Sequence, residues 1–96
     1  MNDEILGIIV KAIRKNAGLT QKQLADAMPN WHWTIVAKIE KGFRSLRAVE
    51  LLPLADALGC QPADFLDPNT PEKIAHRAIQ AKIDELKSEI ELLEQL

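Results

Sequence analysis

Residues 19–42 read LTQKQLADAMPNWHWTIVAKIEKG, and this stretch predicts two short helices separated by a tight break. The apolar residues of the first helix share one face: Leu24, Ala25 and Met28. Thr20 precedes this helix, and Gln23 follows at the spacing of a capping box. Pro29 ends the helix, because proline has no N–H to continue the hydrogen-bond ladder.

The second helix of this stretch is predicted to have one apolar face and one polar face. Its apolar stripe has a spacing of four residues: Trp31, Ile35 and Ile39, with Val36 beside them. Its opposite face carries cationic, polar and aromatic groups and no carboxylate: Trp33, Thr34, Ala37, Lys38 and Lys41. We expect Trp31 to lie in the core, whereas Trp33 is either a surface residue that stacks on a ligand or a second core aromatic. Gly42 ends the helix.

Positive charge is concentrated around these two helices. The whole chain has a net charge of −2, but residues 11–47 contain eight cations and two anions and therefore carry +6. Binding to phosphates requires a local positive field, which the total charge of a chain does not measure. The local excess indicates a nucleic-acid-binding surface.

Composition excludes several other classes of protein. Ninety-six residues allow one small domain with an appendage, and the scarcity of glycine and aromatic residues favours an all-α fold. Cys60 is the only cysteine, so the chain has no intramolecular disulfide and no cysteine cluster. His32 and His76 lack the spacing of metal ligands. The sequence has no signal peptide and no apolar stretch long enough to span a membrane, which predicts a cytoplasmic protein.

Three motifs in this order carry a family resemblance: LTQ at 19–21, LA at 24–25 and TIVAKIEKG at 34–42. The chain resembles the lambda-repressor-like, or Cro/XRE-type, helix-turn-helix family over roughly residues 4–66. The resemblance implies a five-helix, all-α domain that binds double-stranded DNA without a cofactor. The turn departs from the family pattern of a glycine and an apolar residue, because Pro29, Asn30 and Trp31 make it one residue longer.

The resemblance also implies roles for individual residues. Base contacts fall on Trp33, Thr34 and Lys38, in the N-terminal part of the second helix. Phosphate contacts fall on the surrounding polar and basic side chains: Gln21, Lys22, His32, Lys41, Arg44 and Arg47. His32 is alternatively a helix cap. Phe43 and Leu46 are expected to tuck inward and leave Arg44 and Arg47 free. Arg14 is expected to pair with Glu40 inside the domain, with contact to phosphate or solvent as its alternative.

The rest of the predicted domain, residues 1–67, consists of flanking helices. The first helix presents its apolar residues to the core: Leu6, Ile9, Val10 and Ile13. A fourth helix runs from Val49 to Leu58, and a short fifth helix over 61–66 is predicted to bury Phe65 and Leu66.

A linker over 68–71 and a separate helix over 72–96 are predicted to follow, with Thr70 as the N-cap and Pro71 at the first helical position. This helix carries an apolar heptad seam: Ile79, Ile83, Leu86, Ile90 and Leu93, with Ile83 and Ile90 at a. The seam predicts a coiled-coil homodimer. Isoleucine at a with leucine at d is typical of parallel pairs, whereas the flanking charges slightly favour an antiparallel pair. The alternative is that the helix folds back on its own domain.

Together these features predict a sequence-specific regulator of transcription, a repressor that binds a palindromic operator as a homodimer. Two alternatives remain open. In the first alternative, the chain is an antitoxin-type autorepressor whose final helix binds a toxin. In the second, it is a protein–protein adaptor that does not bind DNA. An enzyme is not expected, because the sequence has no Cys/His or Ser/His constellation and no phosphate-binding glycine loop.

Overall fold

A computed structural model describes residues 1–95 of the protein, and all regular structure in this range is helical. The elements in chain order are α1 (Asp3–Asn16), α2 (Gln21–Asp26), α3 (Trp33–Glu40), α4 (Ala48–Leu58), a 3₁₀ turn (Pro62–Leu66) and α5 (Thr70–Glu94). Leu96, the last residue of the predicted final helix over 72–96, lies outside the described range. The all-α class and the order of elements agree with the sequence-based prediction.

A single hydrophobic core lies between α1, α2, α3, α4 and the 3₁₀ turn. The buried side chains include those expected from the helical periodicity: Ile9, Val10, Ile13, Leu24, Ala25, Met28, Val36, Ile39, Leu54, Leu58 and Phe65. The backbones of α1 and the end of α3 lie close together at Gly7. A Cβ atom on Gly7 would collide with the carbonyl oxygen of Ile39, so only glycine lets the two backbones meet here.

Both ends of α2 are fixed by local interactions. The predicted capping box is present, because the Gln23 N–H donates to Thr20 Oγ1 (3.1 Å) and the Thr20 N–H donates to Gln23 Oε1 (2.9 Å). In the turn toward α3, Asn30 has a φ of +61°, a left-handed conformation that asparagine tolerates better than most residues.

The start of α3 and the loop after it differ from the prediction. The helix begins at Trp33, so Trp31 precedes it and is only half-buried against the core.

In the loop after α3, Leu46 packs against the core as predicted, but Phe43 is 79% exposed. The Phe43 N–H donates to the Lys38 carbonyl (2.8 Å), which closes α3 in a Schellman motif. This motif turns Phe43 away from the core.

The 3₁₀ turn buries one of the two predicted side chains. Phe65 is fully buried, whereas Leu66 is 64% exposed. Adjacent side chains of a 3₁₀ helix point about 120° apart, so the two cannot face the same core. The prediction that Leu66 is buried is therefore wrong.

The base of α5 is docked on the domain, and the helix begins at Thr70, within the segment 68–71 that was predicted as a linker. Asn69 occupies the N-cap position, so the assignment of this role to Thr70 is wrong. Thr70 is the first helical residue, and its buried hydroxyl donates to the Asp64 carbonyl oxygen (2.8 Å). Ile74, one turn later, packs against the core, and from Ala75 to Glu94 the side chains are exposed. The helix thus leaves the domain after its first turn.

Candidate nucleic-acid interface

The outward face of α3 presents the three side chains that were predicted to contact bases. Trp33 is 47% exposed, which excludes the alternative of a core aromatic, and Lys38 is also exposed. Thr34 is half-buried. Because residues four apart are neighbours on a helix, Thr34 and Lys38 lie on one side with Trp33 at its N-terminal end. Val36 and Ile39 hold the opposite side of α3 in the core.

His32 caps the N-terminus of α3. Its Nδ1 accepts a hydrogen bond from the Thr34 N–H (3.4 Å) and lies 3.1 Å from Thr34 Oγ1. Since Nδ1 is the acceptor, a neutral His32 carries its proton on Nε2, which remains able to donate outward. The two roles considered for His32 are therefore compatible, as a cap through Nδ1 and as a donor through Nε2.

The N-terminal end of α2 lies beside Trp33. Thr20, Gln21 and Lys22 line a shallow groove of about 460 Å³ together with Trp33 and Arg14. The fold thus brings predicted phosphate contacts and a predicted base contact to one surface, although they come from different helices.

A buried ion pair supports this surface from below. Arg14 Nε donates to Glu40 Oε2 (2.7 Å) and Nη2 donates to Oε1 (3.0 Å), while Nη1 donates to the Leu19 carbonyl (2.7 Å). The Gln21 amide also donates to Glu40 Oε1 (3.2 Å). Both charged side chains are almost inaccessible to solvent. The expected Arg14–Glu40 pair is therefore present, and it ties α1 and the start of α2 to the end of α3.

A second ion pair changes the role predicted for Arg44. This guanidinium donates to both carboxylate oxygens of Glu50 (3.1 and 2.9 Å) and lies 5.6 Å from the ring centroid of Trp31. Arg44 is thus not free for phosphates, because Glu50 neutralises it and the Trp31 ring covers one face. The bond to Arg44 lowers the pKa of Glu50 below its ordinary value.

Sequence reasoning missed Glu50. The Arg47 N–H donates to Glu50 Oε1 (2.8 Å), so Glu50 occupies the acidic position of a capping box at the start of α4. The three-residue spacing from Arg47 ahead of an apolar run was a usable signal. It was obscured because arginine is not a typical N-cap residue.

The segment that forms this surface matches a known protein family. The helix-turn-helix model HTH_3 matches residues 10–65, more than half of the chain. The chain belongs to the HTH_3 helix-turn-helix family. Its α2, turn and α3 are the helix-turn-helix unit, and the turn of this HTH_3 domain contains Asn30.

A solved structure is similar to the HTH_3 domain. The restriction-modification controller protein C.AhdI from Aeromonas hydrophila aligns with a TM-score of 0.61 and 28% identity, over 66% of this chain and 94% of that chain. No curated protein matches the chain. The family and the structural neighbour identify a DNA-binding transcriptional regulator and not a member of an enzyme family.

Two further findings concern the HTH_3 domain and α5 together. Within residues 1–95, no group of three or more histidine, cysteine, aspartate or glutamate side chains is arranged to hold a metal ion. None of the helices in that range has both the length and the apolar character needed to cross a bilayer.

Six cations of the basic segment are exposed around the helix-turn-helix: Lys11, Lys15, Lys22, Lys38, Lys41 and Arg47.

Proposed function

We propose that the protein is a homodimeric, cytoplasmic repressor that inserts α3 into the major groove of each half of a palindromic operator. The observation that supports this function best is the outward face of α3, where exposed Trp33 and Lys38 flank Thr34. A major groove accommodates one α-helix, and its base edges meet the N-terminal residues of the recognition helix.

Each of the three side chains has a distinct role in this proposal. Lys38 donates to guanine O6 or N7, the commonest kind of specific contact. Thr34 offers its methyl group to a thymine methyl, because its hydroxyl faces His32 Nδ1 at 3.1 Å. Trp33 provides apolar surface, since indole has a single donor.

Phosphate contacts surround this face. Lys22, Lys41 and Arg47 are exposed, and His32 retains Nε2 as a donor. Gln21 has one amide N–H on Glu40 and a second N–H that is available to a phosphate oxygen. These groups orient the domain on the duplex but carry no sequence information. Arg44 is left out of the set because of its pairing with Glu50.

Dimerisation through the seam of α5 supplies the second half-site. One helix-turn-helix reads only a few base pairs, whereas a two-fold dimer matches two half-sites about 34 Å apart or a multiple of that distance. A dimer bound across a promoter excludes other proteins from the same grooves, which accounts for repression.

The test is to select bound sequences from a random DNA library with the full-length protein and then compare two variants on the selected site. Lys38→Ala should weaken specific binding by about 1–3 kcal/mol and relax the preference at one base pair in each half-site. Arg47→Ala should weaken binding to all sequences alike and flatten the slope of log K against log salt by about one per contact.

Two results would contradict the proposal. An equal loss on every sequence for Lys38→Ala removes α3 from base readout. A chain without salt-dependent affinity for any DNA is an adaptor and not a repressor.

A further inference from the structure

The apolar seam of α5 has no partner within the described chain. Beyond Ile74, its five seam side chains are 39–69% exposed: Ile79, Ile83, Leu86, Ile90 and Leu93. The helix is continuous from Thr70 to Glu94, so these residues form one uninterrupted stripe. Docking of Thr70 and Ile74 fixes the direction in which the stripe leaves the domain.

Charged residues flank the stripe in an uneven pattern. With Ile83 and Ile90 at position a, Lys82 and Glu89 occupy g, and the e positions are held by Gln80, Lys87 and Glu94. Groups at e and g face the partner helix and set its orientation. The order of the charges along α5 therefore distinguishes a parallel pair from an antiparallel one.

A parallel pair brings like charges together. Each g residue then faces the e residue five positions later in the other chain, so Lys82 faces Lys87 of the partner subunit. In the same way Glu89 faces Glu94 of the partner subunit. Two-fold symmetry doubles both contacts, which gives four repulsive pairs and no attractive one.

An antiparallel pair replaces the repulsive contacts with attractive or neutral ones. With Ile83 opposite Leu86 of the partner subunit, g residues face g residues, and Lys82 meets Glu89 of the partner subunit on both sides. Lys87 then meets the uncharged Gln80 of the partner subunit. We propose that the protein dimerises through an antiparallel coiled coil of α5 in this register, an inference that rests on the dimer of the proposed function.

The register is also specified by charge. A shift of one heptad in one direction places Lys82 opposite Lys82 of the partner subunit. The same shift in the other direction places Glu89 opposite Glu89 of the partner subunit. Only the central register pairs opposite charges while it places Ile79, Ile83, Leu86 and Ile90 in shared layers.

Orientation determines where the two DNA-binding domains lie. The two-fold axis passes between residues 84 and 85, about 15 residues from Thr70, so the two points of attachment are about 44 Å apart along the coil. In a parallel pair both domains would leave the coil at one end, about 10 Å apart. The antiparallel coil thus attaches the two domains at its opposite ends, whereas a parallel coil would hold them side by side.

The test measures dimerisation of the full-length chain by sedimentation at low salt. Glu89→Lys should weaken the antiparallel dimer about tenfold, because two attractive contacts become repulsive. The same change would tighten a parallel dimer by relieving repulsion with Glu94. Glu91→Lys is the matched control, since it changes the charge equally at position b, away from the partner, and should alter the dissociation constant less than about twofold.

Charge reversal gives a second criterion. Lys82→Glu alone should weaken the dimer, and Lys82→Glu combined with Glu89→Lys should restore the wild-type dissociation constant. Tightening by either single change, or no difference between Glu89→Lys and Glu91→Lys in a dimeric protein, overturns the antiparallel arrangement and leaves the dimer intact. A wild-type chain that is monomeric throughout overturns the dimer of the proposed function as well.

Discussion

The helix-turn-helix domain and α5 differ in whether their apolar side chains are buried. The domain finds its partners internally: its apolar residues close one core, and its most buried charges, Arg14 and Glu40, meet each other. Beyond Ile74, α5 leaves an apolar seam exposed over four turns. The difference supports the proposal that the seam of α5 packs against another molecule, whereas the core of the domain is closed by this chain itself.

The largest expected effect comes from removing one member of the buried ion pair in the helix-turn-helix domain. Arg14→Met leaves the Glu40 carboxylate buried without its counter-charge, and we expect a loss of about 3–5 kcal/mol in the free energy of unfolding. Arg14→Met combined with Glu40→Leu should lose less than Arg14→Met alone, because no unpaired charge remains. Urea denaturation of the three proteins measures these differences.

A control variant on α5 sharpens this result. Glu91→Leu removes an exposed carboxylate and should change the free energy of unfolding of the domain by no more than about 0.5 kcal/mol. If the losses from Arg14→Met and Glu40→Leu were additive in the double variant, the two residues would not interact energetically and the pair would not brace α3.

A smaller effect is expected at the rim of the domain, where Glu50 binds Arg44. The pKa of Glu50 in the folded protein lies below its ordinary value, so the pair stabilises the fold at pH values above about 4.3. This contribution is lost as the pH falls through the lower, folded pKa. Glu50→Gln should therefore cost about 1 kcal/mol or less at pH 7 and progressively less in acid.

Thermal unfolding between pH 2.5 and 7 checks this sign. The melting temperatures of the wild type and Glu50→Gln should converge as the pH is lowered, whereas the exposed Glu91→Gln control should follow the wild type throughout. A difference between wild type and Glu50→Gln that stayed constant with pH would mean that ionisation of Glu50 contributes nothing to stability.

The sequence predicted what depends on periodicity and local capping. The apolar faces of α1 and α2 and the Thr20–Gln23 capping box follow from spacing alone. The Arg14–Glu40 pair came from the family resemblance, because no spacing rule links residues 26 positions apart.

The errors lie where neighbouring elements decide the outcome. Phe43 was expected to tuck inward, but the Schellman closure at Gly42 turns it outward. Arg44 was expected to be free, and Glu50 reaches it only because α4 begins directly after the loop. For the candidate site, the sequence identified the exposed face of α3 correctly, but which cations remain unpaired depended on the fold.

We propose that the seam of α5 binds a second copy of this chain. The most direct test is sedimentation equilibrium of the full-length protein at micromolar concentration beside two variants of equal added charge. Ile83→Lys with Leu86→Lys places two lysines in the seam. Ala81→Lys with Ser88→Lys places two lysines at f positions on the opposite side of the helix.

We expect the wild type and the f-position variant to be dimers and the seam variant to be a monomer with an unchanged domain by circular dichroism. The seam variant should also lose most of its affinity for a palindromic site while retaining salt-dependent binding to DNA. A seam variant that still sediments as a dimer, or a wild type that is monomeric over this range, would contradict the account.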